Sequence, residues 1–152
     1  MATSIEPEAP DSPIARQIIG ELEAELDPMY PEASRHGYSI DKLIDEGVDF
    51  FLVRYRGQPV GCGGIQLFGS EYGELKRMYI RPAFRGLGLA RQLIDRLAEH
   101  GHDQGVSVLR LETGIHQHEA IRLYERMGFR QIPPFDPYRP DPLSLFYERV
   151  SR

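Results

Sequence analysis

The chain of 152 residues is 41% hydrophobic, which suits one globular domain over its whole length and leaves little room for two. Its net charge of −5 arises from acidic and basic residues interspersed throughout, so the sequence lacks the concentrated basic patch of a nucleic-acid binder. One cysteine, Cys62, excludes an intramolecular disulfide. No stretch has the apolar length of a membrane span, and the start MATSIEPEAP lacks a basic-then-apolar leader, so a cytoplasmic protein without membrane or nucleic-acid partners is expected.

In chain order, Thr3 to Glu6 reads as a short strand, kept brief by Pro7 and Pro10. Ser12 can cap a helix running to Leu26, with Pro13 in its first turn and Ile14, Ile18, Leu22 and Leu26 spaced by four along one face. Asp27-Pro28 ends it. The polar segment from Met29 to Tyr38 carries two aromatic residues, Tyr30 and Tyr38. Ser39 to Glu46 reads as a short helix closed by Gly47. Asp49 to Tyr55 and Pro59 to Phe68 read as a strand hairpin around Arg56-Gly57-Gln58, and Gly61, Gly63 and Gly64 mark a bulge or tight packing in its second arm.

After a turn at Gly69 to Gly73 comes the most informative stretch. Leu75 to Ile80 has the apolar and aromatic character of a strand, and Pro82, which cannot donate to a ladder, stops it near Arg81. Beyond it, Leu89/Ala90, Leu93/Ile94 and Leu97/Ala98 form one helical stripe, with Gly101 as its predicted stop. Between strand and helix lies Arg85-Gly86-Leu87-Gly88-Leu89-Ala90-Arg91. Two glycines let the backbone approach a ligand, and the free N–H groups of a helix start favour an anion, so the turn describes a pyrophosphate cradle. It carries neither the Gly-Lys-Ser/Thr of a Walker loop nor the three-glycine dinucleotide pattern.

Val106 to Glu112 reads as a buried strand that, joined through the preceding helix, runs parallel to Leu75–Ile80. Ligands of such sheets sit beyond the carboxyl ends of the strands, which is where the glycine turn falls. Gln117 to Met127 is the last helix, stopped by Gly128. Prolines at 133, 134, 137, 140 and 142 then make an irregular excursion holding Phe135, Tyr138 and Arg139, before Leu143 to Val150 returns as a strand. The overall expectation is an α/β (α+β) domain with a mixed, mostly antiparallel sheet flanked by helices.

Two segments carry a family resemblance. Arg85-x-x-Gly88-x-Ala90, after a strand and opening a helix, resembles the acetyl-coenzyme A motif of the GNAT superfamily of N-acetyltransferases. Ala120-x-x-Leu123-Tyr124-x-x-x-Gly128-Phe129 resembles the second diagnostic segment of the same enzymes, with Gln117 standing where asparagine is usual. The resemblance covers about Thr3 to Val150. It implies a GNAT-like domain whose parallel strand pair is splayed, with acetyl-coenzyme A as co-substrate, no metal, and a homodimer as a common assembly. It implies cofactor contacts from Met78, Tyr79 and Ile80 by backbone, from the turn Arg85 to Arg91, and from Gln117 and Tyr124.

The chemistry follows from what acetyl transfer to an amine needs: a neutral amine, a polarised thioester and a proton for the departing thiolate. A tyrosine, with an ordinary pKa of about 10, stays protonated near neutral pH and can serve the thiolate, which makes Tyr124 the candidate acid in its motif context. Glu74, at the start of the central strand and on one face with Lys76, is the candidate base by resemblance, a water chain being the alternative. Tyr30, Tyr38 and Tyr138 are candidates for the acceptor pocket. Cys62 has no histidine or aspartate set beside it by sequence, and His100, His102, His116 and His118 lack a zinc ligand pattern. The expected activity is direct acetylation of a small primary amine in a ternary complex; a protein acetyltransferase or a non-catalytic acyl-coenzyme A sensor are the alternatives.

Overall fold

The computed structural model describes residues 2–151. Strand β1 (Thr3–Pro7) leads into helix α1 (Pro13–Leu26), whose cap Ser12 accepts a hydrogen bond from the Ala15 N–H at 3.2 Å. A 3₁₀ turn at Glu32–Ser34 interrupts the following loop before helix α2 (Ile40–Asp45), capped by Ser39. Then come β2 (Asp49–Tyr55), β3 (Gln58–Phe68) and β4 (Tyr72–Ile80), helix α3 (Leu89–Asp103), β5 (Val108–Gly114), helix α4 (His118–Arg126), β6 (Arg130–Ile132) and β7 (Ser144–Val150).

All seven strands form one sheet in the order β1-β2-β3-β4-β5-β7-β6. Every pairing is antiparallel except β4 with β5, as expected for strands joined by a crossover helix. That parallel pairing is short. It covers only Gly73 opposite Leu109 and Glu74 opposite Arg110, so residues 75–80 and 111–114 diverge from one another toward the carboxyl ends. The splay opens the sheet where a ligand is expected.

The alternation of β-strand side chains divides the core in two. On one face Leu75, Leu109 and Leu111 pack with Leu89, Leu93, Ile94 and Leu97 of α3 and with Tyr124 of α4. On the other, Phe50, Leu52, Cys62 and Tyr79 pack under Ile18, Ile19 and Leu22 of α1. The three strand glycines prove to be close-packing sites around two bulges, one in β3 at Val60, where Val53 faces Gly61 and Arg54 faces Pro59, and one in β4. Cys62 faces Tyr79 and Gly64 faces Lys76, leaving Arg77 and Met78 opposite Gly63 alone. Arg77 has φ +54, and a β-carbon on Gly63 would meet Met78 Sδ at 2.6 Å.

Several boundaries differ from the sequence expectation for physical reasons. β4 begins at Tyr72, because residues 72–74 pair with β3 before the apolar run starts. α3 continues through Gly101 to Asp103. Gly101 is a packing position, where a β-carbon would approach Ile65 Cδ1 at 3.3 Å, and the left-handed residue after the helix is Gly105. β5 runs two residues later than Val106–Glu112. The three-residue β6 follows no propensity signal and is held by its pairing with β7. Among the described residues no helix is long and apolar enough to cross a membrane.

Candidate active site

The splay between β4 and β5 opens into a cavity of about 360 Å³, walled by the end of α1, the 30–39 loop and the start of α4. Leu75, Arg77 and Met78 line it from β4, and Leu111, Glu112, Thr113 and Gly114 from β5. Tyr124 reaches it from α4, Tyr30 and His36 from the loop.

Tyr124 is buried, and its ring meets Phe129 edge-on at 5.7 Å. Burial, reinforced by the negative charge of Glu112, pushes its hydroxyl up to about 12, so it stays protonated. Among the described residues no hydrogen bond reaches that hydroxyl, leaving it free toward the cavity. Tyr30 is held from several sides. Its Oη accepts from the His116 N–H at 3.0 Å and donates to Gln117 Oε1 at 3.4 Å, while Gln117 Oε1 also accepts from the Gly114 N–H at 2.8 Å. The side-chain oxygen of Gln117 therefore ties the end of β5 to the loop, an internal role that the sequence did not show.

Glu112 is a carboxylate on the β5 wall of the cavity, which Glu23 and Asp27 line from the α1 side. Its Oε2 accepts from Ser144 Oγ at 2.8 Å, and burial, with Glu74 nearby, raises its pKa despite that bond. His36 lies alongside, its Nε2 3.1 Å from Asp141 Oδ2. Arg77 projects into the same space from the bulge. Neither Glu112, His36 nor Arg77 stood out in the sequence. The only signals were a carboxylate at the end of an apolar strand and two adjacent cations, Lys76 and Arg77, in the middle of another.

Glu74 and Lys76 do share a face, and they form a buried ion pair at 2.8 Å, 1% and 5% exposed. Tyr138 Oη donates to Glu74 and accepts from Lys76 Nζ at 3.0 Å, and Tyr38 places its ring 3.8 Å from the Lys76 ammonium. Burial, with the Glu74 charge, drives the Tyr138 hydroxyl far above its ordinary pKa. Glu74, Tyr38 and Tyr138 are thus brought together beside the cavity, among residues that do not line it, whereas Tyr30 lines it directly. His36 links the two groups, its ring meeting that of Tyr138 edge-on at 5.7 Å.

Beyond the end of β4, the turn from Arg85 to Arg91 leads into α3 through two left-handed glycines. Gly86 and Gly88 have φ of +85 and +79, with nothing within 4 Å of where a β-carbon would stand. Their role is conformational, and the space above them is open. Gly88 caps α3 without a side-chain bond, and no acidic residue stands in the first turn. Among the described residues no hydrogen bond reaches the N–H groups of Leu89, Ala90 and Arg91, so they remain available to an anion. Leu87 is exposed, Leu89 is buried under the turn, and Arg91 is exposed. Arg85 donates to the Ile80 carbonyl at 2.9 Å and pairs with Glu25 at 2.8 Å, which fixes the turn against the strand end and α1. The side chains of Tyr79 and Ile80 point into opposite cores. Unpartnered helix-start amides thus stand at one end of the splay and a polar cavity at the other.

Cys62 is wholly buried, donates to the Arg77 carbonyl at 3.3 Å, and has its thiol pushed up to about 12 by burial, which unsuits it as a nucleophile. Among the described residues no three His, Cys, Asp or Glu side chains gather in a metal-binding cluster.

The family model for the Acetyltransferase (GNAT) family matches residues 16–129. The chain is 40% identical to an IAA acetyltransferase of Azospirillum brasilense over 143 residues, covering 93% of this chain and 94% of the relative. It is 37% identical over 134 residues to an N-acetyltransferase of Escherichia coli K12, covering 80% of this chain and 78% of that one. Among solved structures, an acyl-CoA N-acyltransferase of Klebsiella pneumoniae superposes with a TM-score of 0.82 at 36% identity, over 97% of each chain. An Elizabethkingia anophelis GNAT acetyltransferase, crystallised with acetyl-CoA bound, shares the fold with a TM-score of 0.72 over 98% of each chain at 18% identity.

Proposed function

The chain belongs to the GNAT family of N-acetyltransferases, and we propose that it passes an acetyl group from acetyl-coenzyme A directly to the primary amine of a small molecule held in the cavity. The observation that carries this reading is the pairing, across one splayed cavity, of an unpartnered protonated tyrosine with a carboxylate of raised pKa. A space of about 360 Å³ falls in the size range of small-ligand sites. Acetyl-coenzyme A, when bound, supplies an activated acetyl group on a thioester.

The residues fit that co-substrate. The Leu89, Ala90 and Arg91 amides, with the open backbone at Gly86 and Gly88, would hold its phosphates, and the Arg91 side chain adds charge at the same place. The diverging edges of β4 and β5 near Met78 offer backbone groups to its arm. Tyr124 keeps its proton at all physiological pH. Because its pKa of about 12 exceeds the roughly 8.5 of a free thiol, net proton transfer to sulfur is uphill. Its contribution is the hydrogen bond it donates to negative charge developing there.

Glu112 takes the role of base. It lines the cavity and its raised pKa moves it toward the neutral range in which a base works best. Glu74, already engaged by Lys76 and Tyr138, supports the wall on which Tyr38 and His36 are set. Direct attack is favoured over a covalent acetyl-enzyme because the lone thiol is buried and protonated.

The test is release of coenzyme A across a panel of primary amines by the wild type and by Tyr124→Phe. A selective acceptor is expected, with the variant slowed by about 100- to 1,000-fold, the range for loss of one such donor, at unchanged thermal midpoint. Equal turnover by the variant would remove Tyr124 from the chemistry; no release from any amine, with acetyl-coenzyme A bound, would favour a sensor.

A further inference from the structure

We propose that Arg77 is the receptor for a carboxylate on the acceptor, so that the amine acetylated is an amino acid or another small amine that also bears a carboxylate. The inference rests on the acetyl-transfer reading and narrows its substrate class.

Arg77 is an unusual arginine. Its side chain is 7% exposed, yet it lines the cavity, and it is carried there by a bulge residue at φ +54. A left-handed non-glycine residue in a central strand is strained and persists where the surroundings demand it. The surroundings are built for the guanidinium. A β-carbon at Gly37 would stand 2.9 Å from Arg77 Cζ and closer still to Nη1, so the loop gives up a side chain to admit the head group.

The head group is incompletely satisfied. Nη2 donates to Glu23 Oε1 at 2.8 Å; the buried Nε has no partner, and among the described residues none is recorded for Nη1. A guanidinium presents five donors in a fork that matches a carboxylate, and a buried one without its hydrogen bonds is penalised. Arg77 has Glu23 as its ion-pair partner, with Asp27 acting more weakly from farther off, and Glu23 is 50% exposed and able to swing toward water. An incoming carboxylate can share or replace it. The cavity also has the other charge that a zwitterion needs, since Glu112 stands on the facing strand β5. An acceptor bridging β4 and β5 would set its carboxylate at Arg77 and its amine toward Glu112.

The experiment compares matched acceptors, each L-amino acid against its own carboxamide, by coenzyme A release with acetyl-coenzyme A. For the acceptor used, the acid should exceed the amide in kcat/KM by about 10- to 100-fold, the range of a hydrogen-bonded charge pair. Arg77→Gln should abolish that preference, mainly by raising KM for the acid. Glu23→Gln, which keeps an amide oxygen for Arg77 and removes the competing charge, should lower KM for the acid relative to the amide. Equal use of acid and amide by the wild type, or equal loss of both in Arg77→Gln, overturns the proposal. If Arg77→Gln fails to fold, the Glu23→Gln comparison decides, and absence of a selective change refutes it. If neither acceptor of any pair turns over, the acetyl-transfer reading fails for this class. The carboxylate site is then judged by calorimetric titration of N-acetyl-L-amino acids into the coenzyme A complex: binding lost in Glu23-intact Arg77→Gln supports it, and no binding to the wild type overturns it.

Discussion

Substituting Gly114 by alanine tests how the cavity wall is assembled. The new β-carbon would stand 2.6 Å from Tyr30 Cε1 and nearer still to Cζ and Oη, while the backbone of β5 is fixed by Ser144 of β7. The phenol must therefore leave. Its departure breaks the bond from the His116 N–H and the weaker one to Gln117, each worth about 0.5–1.5 kcal/mol, and repacking the ring adds roughly 1–3 kcal/mol. The total is about 2–6 kcal/mol, or on the order of 4–24 °C in thermal midpoint for a chain of this size. Activity should fall as well, because Tyr30 lines the cavity. The assay is thermal denaturation of Gly114→Ala, Tyr30→Ala and the pair together. With the ring gone the alanine has room, so the double variant should be more stable than the sum of the two losses predicts, by at least about 1 kcal/mol. Strict additivity would refute the contact.

Two further outcomes follow from the charges. Lys76→Met leaves the Glu74 carboxylate buried and unpaired, and should destabilise by about 3–5 kcal/mol in urea denaturation, whereas replacing both by apolar residues should recover most of that loss. Glu112 has a folded pKa above its ordinary 4.5, so the folded chain keeps this proton where the unfolded chain has released it. Its effect on stability is thus most favourable below 4.5 and is lost as pH rises through the folded value. Glu112→Gln should flatten that decline, and should also remove the rise of kcat/KM with pH that deprotonation of the base gives the wild type; a variant with the parent's pH profile would exclude Glu112 as the base.

The backbone plan was legible in the sequence where local physics dominates. The four-residue spacing of α1, the Gly86/Gly88 turn and the crossover from β4 to β5 each follow from short-range rules, and the structure has them. Gly101 misled because a glycine inside α3 serves packing against Ile65 and gives no local sign of that use. Tyr124 was readable from its motif and does face the cavity. Glu74 was readable as sharing a face with Lys76, but not as a partner of Tyr138, because sixty-four residues separate the two and only tertiary packing closes that distance. Glu112 and Arg77 were missed for a related reason: the significance of either side chain comes from a splay and a bulge, and both arise between strands. Gln117 likewise binds Gly114 and Tyr30 together through contacts no periodicity encodes.

The most direct measurement is the initial rate of coenzyme A release with acetyl-coenzyme A and the amine acceptor varied together. Direct transfer in the cavity predicts no release without the amine and intersecting reciprocal plots with it. Parallel plots, with a burst of coenzyme A and an acetylated protein in the absence of amine, would contradict the account.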